Sequence, residues 1–137
     1  MKTRTLILIY HYIAGLSDTC TGLLLLFAPG FTLHLMGVTE LPSPLYYARY
    51  IGVFVFSVGV TYLLIPAVVR EAPDSITWWR AQWAITAFIR SLVALFVLWQ
   101  IVLGSMEGAW VAVLLTDGTY AAIQFTGLRK HWLDIRS

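Results

Sequence analysis

Cysteine is nearly missing from this chain. Cys20 is the one thiol in 137 residues, which excludes an intrachain disulfide, a CxxC redox motif and a cysteine zinc cluster. Charge is also scarce, at 12% of residues against 59% hydrophobic. Together with a mean hydropathy of +0.78, this excludes an ordinary water-soluble domain. The net charge is only +2, and the basic residues lie in short loops and tails rather than on one face, so no nucleic-acid footprint is present. No Ser-His-Asp arrangement, phosphate loop or HExxH run appears. The chain thus carries no legible catalytic set and no metal site.

What the chain does have is apolar length. About 20 apolar residues cross the hydrocarbon core of a bilayer at 1.5 Å rise each. Four stretches reach that length: roughly 5–27, 46–67, 79–103 and 109–128. Pro29-Gly30 ends the first, Pro42 and Pro44 precede the second, Pro66 and Pro73 bracket its exit, and Gly104 and Gly108 flank the last turn. The expectation is a single all-α membrane domain over 1–137, a four-transmembrane-helix bundle. Met1-Lys2-Thr3-Arg4 before an apolar run resembles a secretory signal. Asp18 interrupts that run and no small-x-small site follows, so it reads as the first membrane helix.

Lysine and arginine are absent from the first and third connections, Ala28–Leu45 and Gly104–Gly108. They gather instead at Lys2, Arg4, Arg70, Arg80, Arg129, Lys130 and Arg136. By the positive-inside rule both termini are expected in the cytoplasm, in a multi-pass protein of a bacterial inner membrane. Tyr10, Tyr12, Trp78, Trp79, Trp83 and Trp132 would form the inner aromatic belt, and Tyr46, Tyr47, Tyr50, Trp99 and Trp110 the outer one. Phe31, Leu33, Leu35 and Met36 make Gly30–Gly37 apolar yet too short to span, which predicts a short interfacial helix in the first outer loop.

Small residues recur at helical spacing. Gly15 and Gly22 are seven apart, as are Gly52 and Gly59, so each pair shares a stripe where another backbone can approach closely. Ala84, Ala87, Ser91 and Ala94 form a third stripe, and Ala112, Gly118, Ala121 and Ala122 a fourth.

Apart from Arg80 at the edge of the third segment, only Asp18, Arg49, Arg90 and Asp117 bring charge into the four apolar segments. A charge at the bilayer centre costs roughly 2.5–3.5 kcal/mol even on the lenient insertion scale, so such residues turn inward and pair. Counting from the outer helix ends puts Asp18 about 14 Å deep, Asp117 about 12 Å, Arg49 about 5 Å and Arg90 about 20 Å. The expected pairs are Asp117 with Arg90 and Asp18 with Arg49. One reading of this layer is a structural network that fixes helix register. Others are a polar pocket at Asp18, Arg49 and Asp117 open to the outer leaflet, for a substrate, a quinone or an ion, and a proton relay. His11 is the intramembrane histidine, expected to be satisfied by a neighbour. Without a second one, two-histidine haem ligation is excluded. Cys20 is expected to pack, and Gln100 and Gln124 are expected to bond between helices.

Three sequence pieces resemble the DoxX-like superfamily of small, largely uncharacterised bacterial four-helix membrane proteins. The first is Gly22-Leu23-Leu24-Leu25-Leu26-Phe27-Ala28-Pro29 with Leu35-Met36-Gly37. The second is Ala48-Arg49-Tyr50-Ile51-Gly52 with Gly59-Val60-Thr61-Tyr62-Leu63-Leu64. The third is Arg90 with Asp117-Gly118 and Leu128-Arg129. The resemblance implies a four-helix fold and a link to redox membranes, and it carries over no active-site residues.

The functional expectation is a small non-catalytic accessory or anchoring subunit of a larger membrane complex, of a respiratory or electron-transfer kind. The alternatives are a quinone- or thiol-linked redox protein using the polar pocket, and a small-solute or lipid carrier. Expected partners are membrane lipids with other membrane subunits or further copies of the chain. No cofactor is expected beyond a quinone or lipid as ligand.

Overall fold

The computed structural model describes residues 2–69 and 75–134. Arg70, Pro73 and Arg136, used above for topology and helix ends, lie outside them. The described residues are helical, with no strand. Helix α1 covers Lys2–Phe27, α2 Pro29–Leu35, α3 Tyr46–Val68, α4 Ser75–Val102 and α5 Val111–Arg129, with a 3-10 turn at Gly108–Trp110. Helix α4 starts a turn earlier than the apolar pattern suggests, because Ser75–Trp78 continue the helix below the hydrophobic run. By length and composition, α3 and α4 are able to cross a membrane.

The helix ends follow local chemistry. Pro29 stands at the first position of α2, where no amide hydrogen is needed. Three helices close with the same paired bonds of a left-handed C-terminal cap. After α2, Gly37 N–H donates to His34 O and Val38 N–H to Leu33 O, at 2.9 and 3.0 Å. After α4, Gly104 and Ser105 donate to Ile101 and Gln100, at 3.0 and 2.9 Å. Gly37 and Gly104 take the positive φ this requires, 86° and 71°. After α5 the position falls to His131, at φ 55°.

Packing divides the long helices into two antiparallel pairs. Helix α1 lies against α3 and α4 against α5 along their lengths, while α3 and α4 approach each other sparsely. Glycine stripes account for the first pair. A Cβ on Gly22 would strike the Phe56 backbone, and one on Gly59 the backbone of Thr19. Gly52 faces Gly22 O and Leu26 N, and Gly15 faces Leu63 and Tyr62. In the second pair Gly127 makes room for the rings of Trp83 and Trp132. Gly118, placed on a packing stripe from its spacing, does not pack: nothing lies within 4 Å of its missing Cβ. Ala84, Ala112 and Ala122 are likewise exposed, whereas Ala87, Ala94 and Ala121 are buried.

Large aliphatic and aromatic side chains cover the outside. Leu6, Ile13, Phe54, Ile85, Phe88, Leu95 and Leu115 are all more than half exposed. Helix α2 turns Leu33 into a cluster with Leu25, Val38 and Ala48, and turns Phe31 and Leu35 outward. Cys20, expected to pack, is exposed on α1.

Candidate functional site: a buried arginine between the helix pairs

Arg90 is the centre of the interior and is 3% exposed. It lies on the buried stripe of α4 that also carries Trp83, Thr86, Ala87, Ala94 and Val97, the three- and four-residue spacing of one helix face. Its Nη2 donates to Asp18 Oδ2 of α1, and its Nη1 to Asp117 Oδ1 of α5 at 2.5 Å. Its Nε donates to the Tyr62 hydroxyl of α3 at 3.2 Å. One guanidinium therefore ties all four long helices together, using the fork of donors that lysine lacks. The Tyr120 ring lies 4.6 Å from the guanidinium carbon and the Tyr62 ring 5.4 Å, adding cation–π attraction where water is excluded.

The expected pairing is corrected at one point. Asp18 pairs with Arg90, and Arg49 does not join the layer. Arg49 is exposed, and its Nη1 donates to Leu26 O at 2.7 Å. That carbonyl belongs to the last turn of α1, where helical donors run out, so Arg49 caps α1 from α3. The shared pocket of Asp18, Arg49 and Asp117 is thereby not formed.

The network continues toward the α1 N-terminal end. Gln124 Nε2 donates to the Tyr62 hydroxyl and to Thr86 Oγ1, both at 2.7 Å, and Thr86 Oγ1 donates to Gln82 O at 2.7 Å. Gln124 bonds between helices as expected from its type. Gln100 is half-buried, and its side chain stands outside this network.

His11 is fully buried, and both ring nitrogens are used. Pro66 has no amide hydrogen, so the Tyr62 carbonyl four residues earlier receives no helical bond. His11 Nδ1 donates to that carbonyl at 3.3 Å. Trp83 Nε1, which can only donate, gives its hydrogen to His11 Nε2 at 2.6 Å. The imidazole is therefore neutral and has no lone pair left for a pigment or a metal. Trp83, assigned to the inner aromatic belt from sequence, is 1% exposed and belongs to this core. Tyr10 meets His11 and Trp83 edge to face, and Trp79 meets His11 in the same way.

At the opposite end, the Glu107 carboxylate accepts from Thr39 N–H at 3.0 Å, Thr39 Oγ1 at 2.8 Å and Glu40 N–H at 2.7 Å. The Glu40 and Thr39 backbone amides and the Thr39 hydroxyl hold its pKa below the usual glutamate value. Glu107 thus joins the α2–α3 connection to the α4–α5 connection.

Tyr62, Tyr120, Thr86, Trp83 and Glu107 were not singled out by sequence as parts of a site. A signal existed for some: Gln82, Thr86 and Arg90 recur every four residues along an apolar helix, and Pro66 follows Tyr62 by four. Among the described residues, no group of three histidine, cysteine, aspartate or glutamate side chains could hold a metal. No family model, curated protein or solved structure matches the chain.

Proposed function

We propose that the chain is a multi-pass protein of a bacterial inner membrane. In this reading it is a four-helix bundle with both termini cytoplasmic, acting as a non-catalytic accessory or anchoring subunit of a larger membrane complex. The observation that carries this reading is the state of Arg90. Its charge is consumed by Asp18, Asp117 and Tyr62 inside the molecule, while the outer faces of the long helices are apolar. That distribution suits a lipid solvent, which penalises inward charges only when they are unpaired, and exposed apolar area of this extent marks a membrane or protein contact. Helix α1, at 26 residues, is about 39 Å long, and α5, at 19, about 28 Å, near the ~30 Å of a hydrocarbon core. Helix α2 then lies at the outer interface with Phe31 and Leu35 toward lipid. Kinship with the DoxX-like superfamily is part of the same proposal and rests on the sequence pieces quoted above.

The pocket-based redox reading is less well supported, because Arg49 stands apart from the two carboxylates. Reporter fusions at Ser137 and within 41–44, with identification of proteins that co-purify in mild detergent, test the proposal. A cytoplasmic signal at Ser137, an external signal at 41–44 and larger partners whose assembly falls on deletion are expected. An external signal at Ser137 overturns the topology. Turnover of a quinone or thiol by the pure protein at enzyme-like rates overturns the subunit reading.

A further inference from the structure

Asp18, Arg49, Arg90 and Asp117 balance in sign, and folding undoes the balance. Arg49 leaves the layer to cap α1, so Asp18 and Asp117 share the single guanidinium of Arg90. The phenols of Tyr62 from α3 and Tyr120 from α5 lie against the same guanidinium, and Tyr10 of α1 packs on both rings. None of the three is charged at neutral pH. His11, with both ring nitrogens occupied, adds no charge either. With both carboxyls ionised, the layer therefore holds one negative charge in excess of its cation. An unmatched charge is expensive in a water-poor interior, and a carboxyl escapes the cost by taking up a proton. Two carboxylates that share one site resist joint ionisation for the same reason.

The geometry leaves a place for that proton. Arg90 engages one oxygen of each aspartate, Oδ2 of Asp18 and Oδ1 of Asp117. The other two oxygens, Asp18 Oδ1 and Asp117 Oδ2, accept no hydrogen bond among the described residues. The Arg90 side chain is 4% exposed, against 12% for Asp18 and 17% for Asp117. The carboxyls are thus the open side of the cluster, and a proton from water reaches them without displacing Arg90. A metal ion fits less well, because hard cations take about six oxygens and two are free here.

We infer that the Asp18–Arg90–Asp117 cluster is a proton-binding site, holding one exchangeable proton between its two carboxyls in the folded protein at neutral pH. Uptake forms one O–H bond, on a carboxylate oxygen that Arg90 leaves free, and makes the layer neutral. Release returns the proton to water and restores the excess charge. Asp18 lies on α1, and Arg90 and Asp117 on α4 and α5, so the site spans the two helix pairs and its loading bears on how firmly they hold. The inference rests on burial and charge count rather than on the accessory-subunit reading, and either can fail alone.

The test uses the full chain with isotope-labelled aspartate in nanodiscs of a zwitterionic phospholipid. It reads the infrared C=O stretch of protonated carboxyl groups against pH. One protonated aspartate per chain is expected at about pH 7. In Asp18→Asn and in Asp117→Asn the signal should vanish, because the remaining carboxylate is then matched by Arg90. Asp134→Asn, at the exposed pair with Arg80, should leave it. The folded site keeps a proton that an aspartate of the unfolded chain has released above about pH 4. Stability should therefore fall as pH rises from about 5 until the site empties. A drop in Tm of several degrees is expected, and Asp18→Asn and Asp117→Asn should each flatten that profile. Absence of a protonated aspartate at about pH 7 overturns the inference, and so does a signal that survives Asp18→Asn or Asp117→Asn. A Tm that rises with sodium at constant ionic strength, without a protonated carboxyl, assigns the excess charge to a metal cation and overturns it as well. Should both substituted chains fail to fold, the count of protonated aspartates in the unaltered chain and in Asp134→Asn decides.

Discussion

Arg90 shows how one residue sets the terms for its neighbours. A guanidinium buried to this degree is tolerable because two carboxylates and a phenol oxygen meet three of its nitrogens. The partners are unequal in consequence. Arg90→Gln strands both Asp18 and Asp117, and breaking a buried pair in that way typically costs about 3–5 kcal/mol. Asp117→Asn leaves the cation paired with Asp18 and should cost less. In thermal unfolding, Arg90→Gln is therefore expected to be the most damaging single change. The double variant Arg90→Gln/Asp117→Asn should recover part of the loss, and adding Asp18→Asn should recover more. Strictly additive losses in this cycle would mean that the three groups do not interact. The same residue-scale logic explains His11, whose neutrality follows from Pro66 withholding a hydrogen and Trp83 supplying one.

Among the elements, the two helix pairs are held by different means. Helices α1 and α3 approach backbone to backbone at Gly22, Gly52 and Gly59, where many close contacts add up in dispersion energy. Gly22→Ala and Gly59→Ala each place a Cβ against main chain, which cannot yield as a flexible side chain would. Each is expected to cost about 1–3 kcal/mol, in the range of an overpacked core. Gly118→Ala on α5 meets open space, and alanine is the better helix former by up to about 1 kcal/mol. It should leave Tm unchanged or raise it slightly. A thermal-shift comparison of the three variants checks the contrast, and a loss at Gly118→Ala as large as at Gly22→Ala would contradict the packing described.

Across the whole molecule, the pairs α1/α3 and α4/α5 are clasped mainly by polar bonds. Trp83 to His11 and Gln124 to Tyr62 join them at one end, Arg90 to Asp18 and Tyr62 in the middle, and Thr39 and Glu40 to Glu107 at the other end. The Glu107 clasp is the one that answers to acid pH. Its folded pKa is depressed below 4.5 by donors it would lose on unfolding. Its stabilising contribution is therefore present above the unfolded value and is lost as pH falls through the folded one. Stability measured from pH 6 downward should drop below about pH 4.5, and Glu107→Gln should flatten that part of the profile. An unchanged profile in Glu107→Gln would remove Glu107 as a pH-dependent clasp.

Helix existence was legible in the amino-acid sequence because apolar length and the Pro and Gly breaks are local properties. The glycine pairs at 15/22 and 52/59 and the inward fate of Asp18, Arg90 and Asp117 were legible for a related reason: close approach and the cost of bare charge follow from residue type alone. Partner choice was not. Arg49 and Arg90 are equivalent by sign, and depth along the helices allowed a pair for each. Only side-chain placement assigned both carboxylates to Arg90 and gave Arg49 a helix end. Spacing likewise placed Gly118 in the packed interior, because period fixes which residues share a stripe but not which stripe meets a neighbour. Residue type put Cys20 inside and Trp83 in a boundary belt, and type does not fix which way a side chain faces. The surplus carboxylate at Arg90 belongs wholly to tertiary structure, since the four inward charges balance by sign along the chain and only the fold takes Arg49 away.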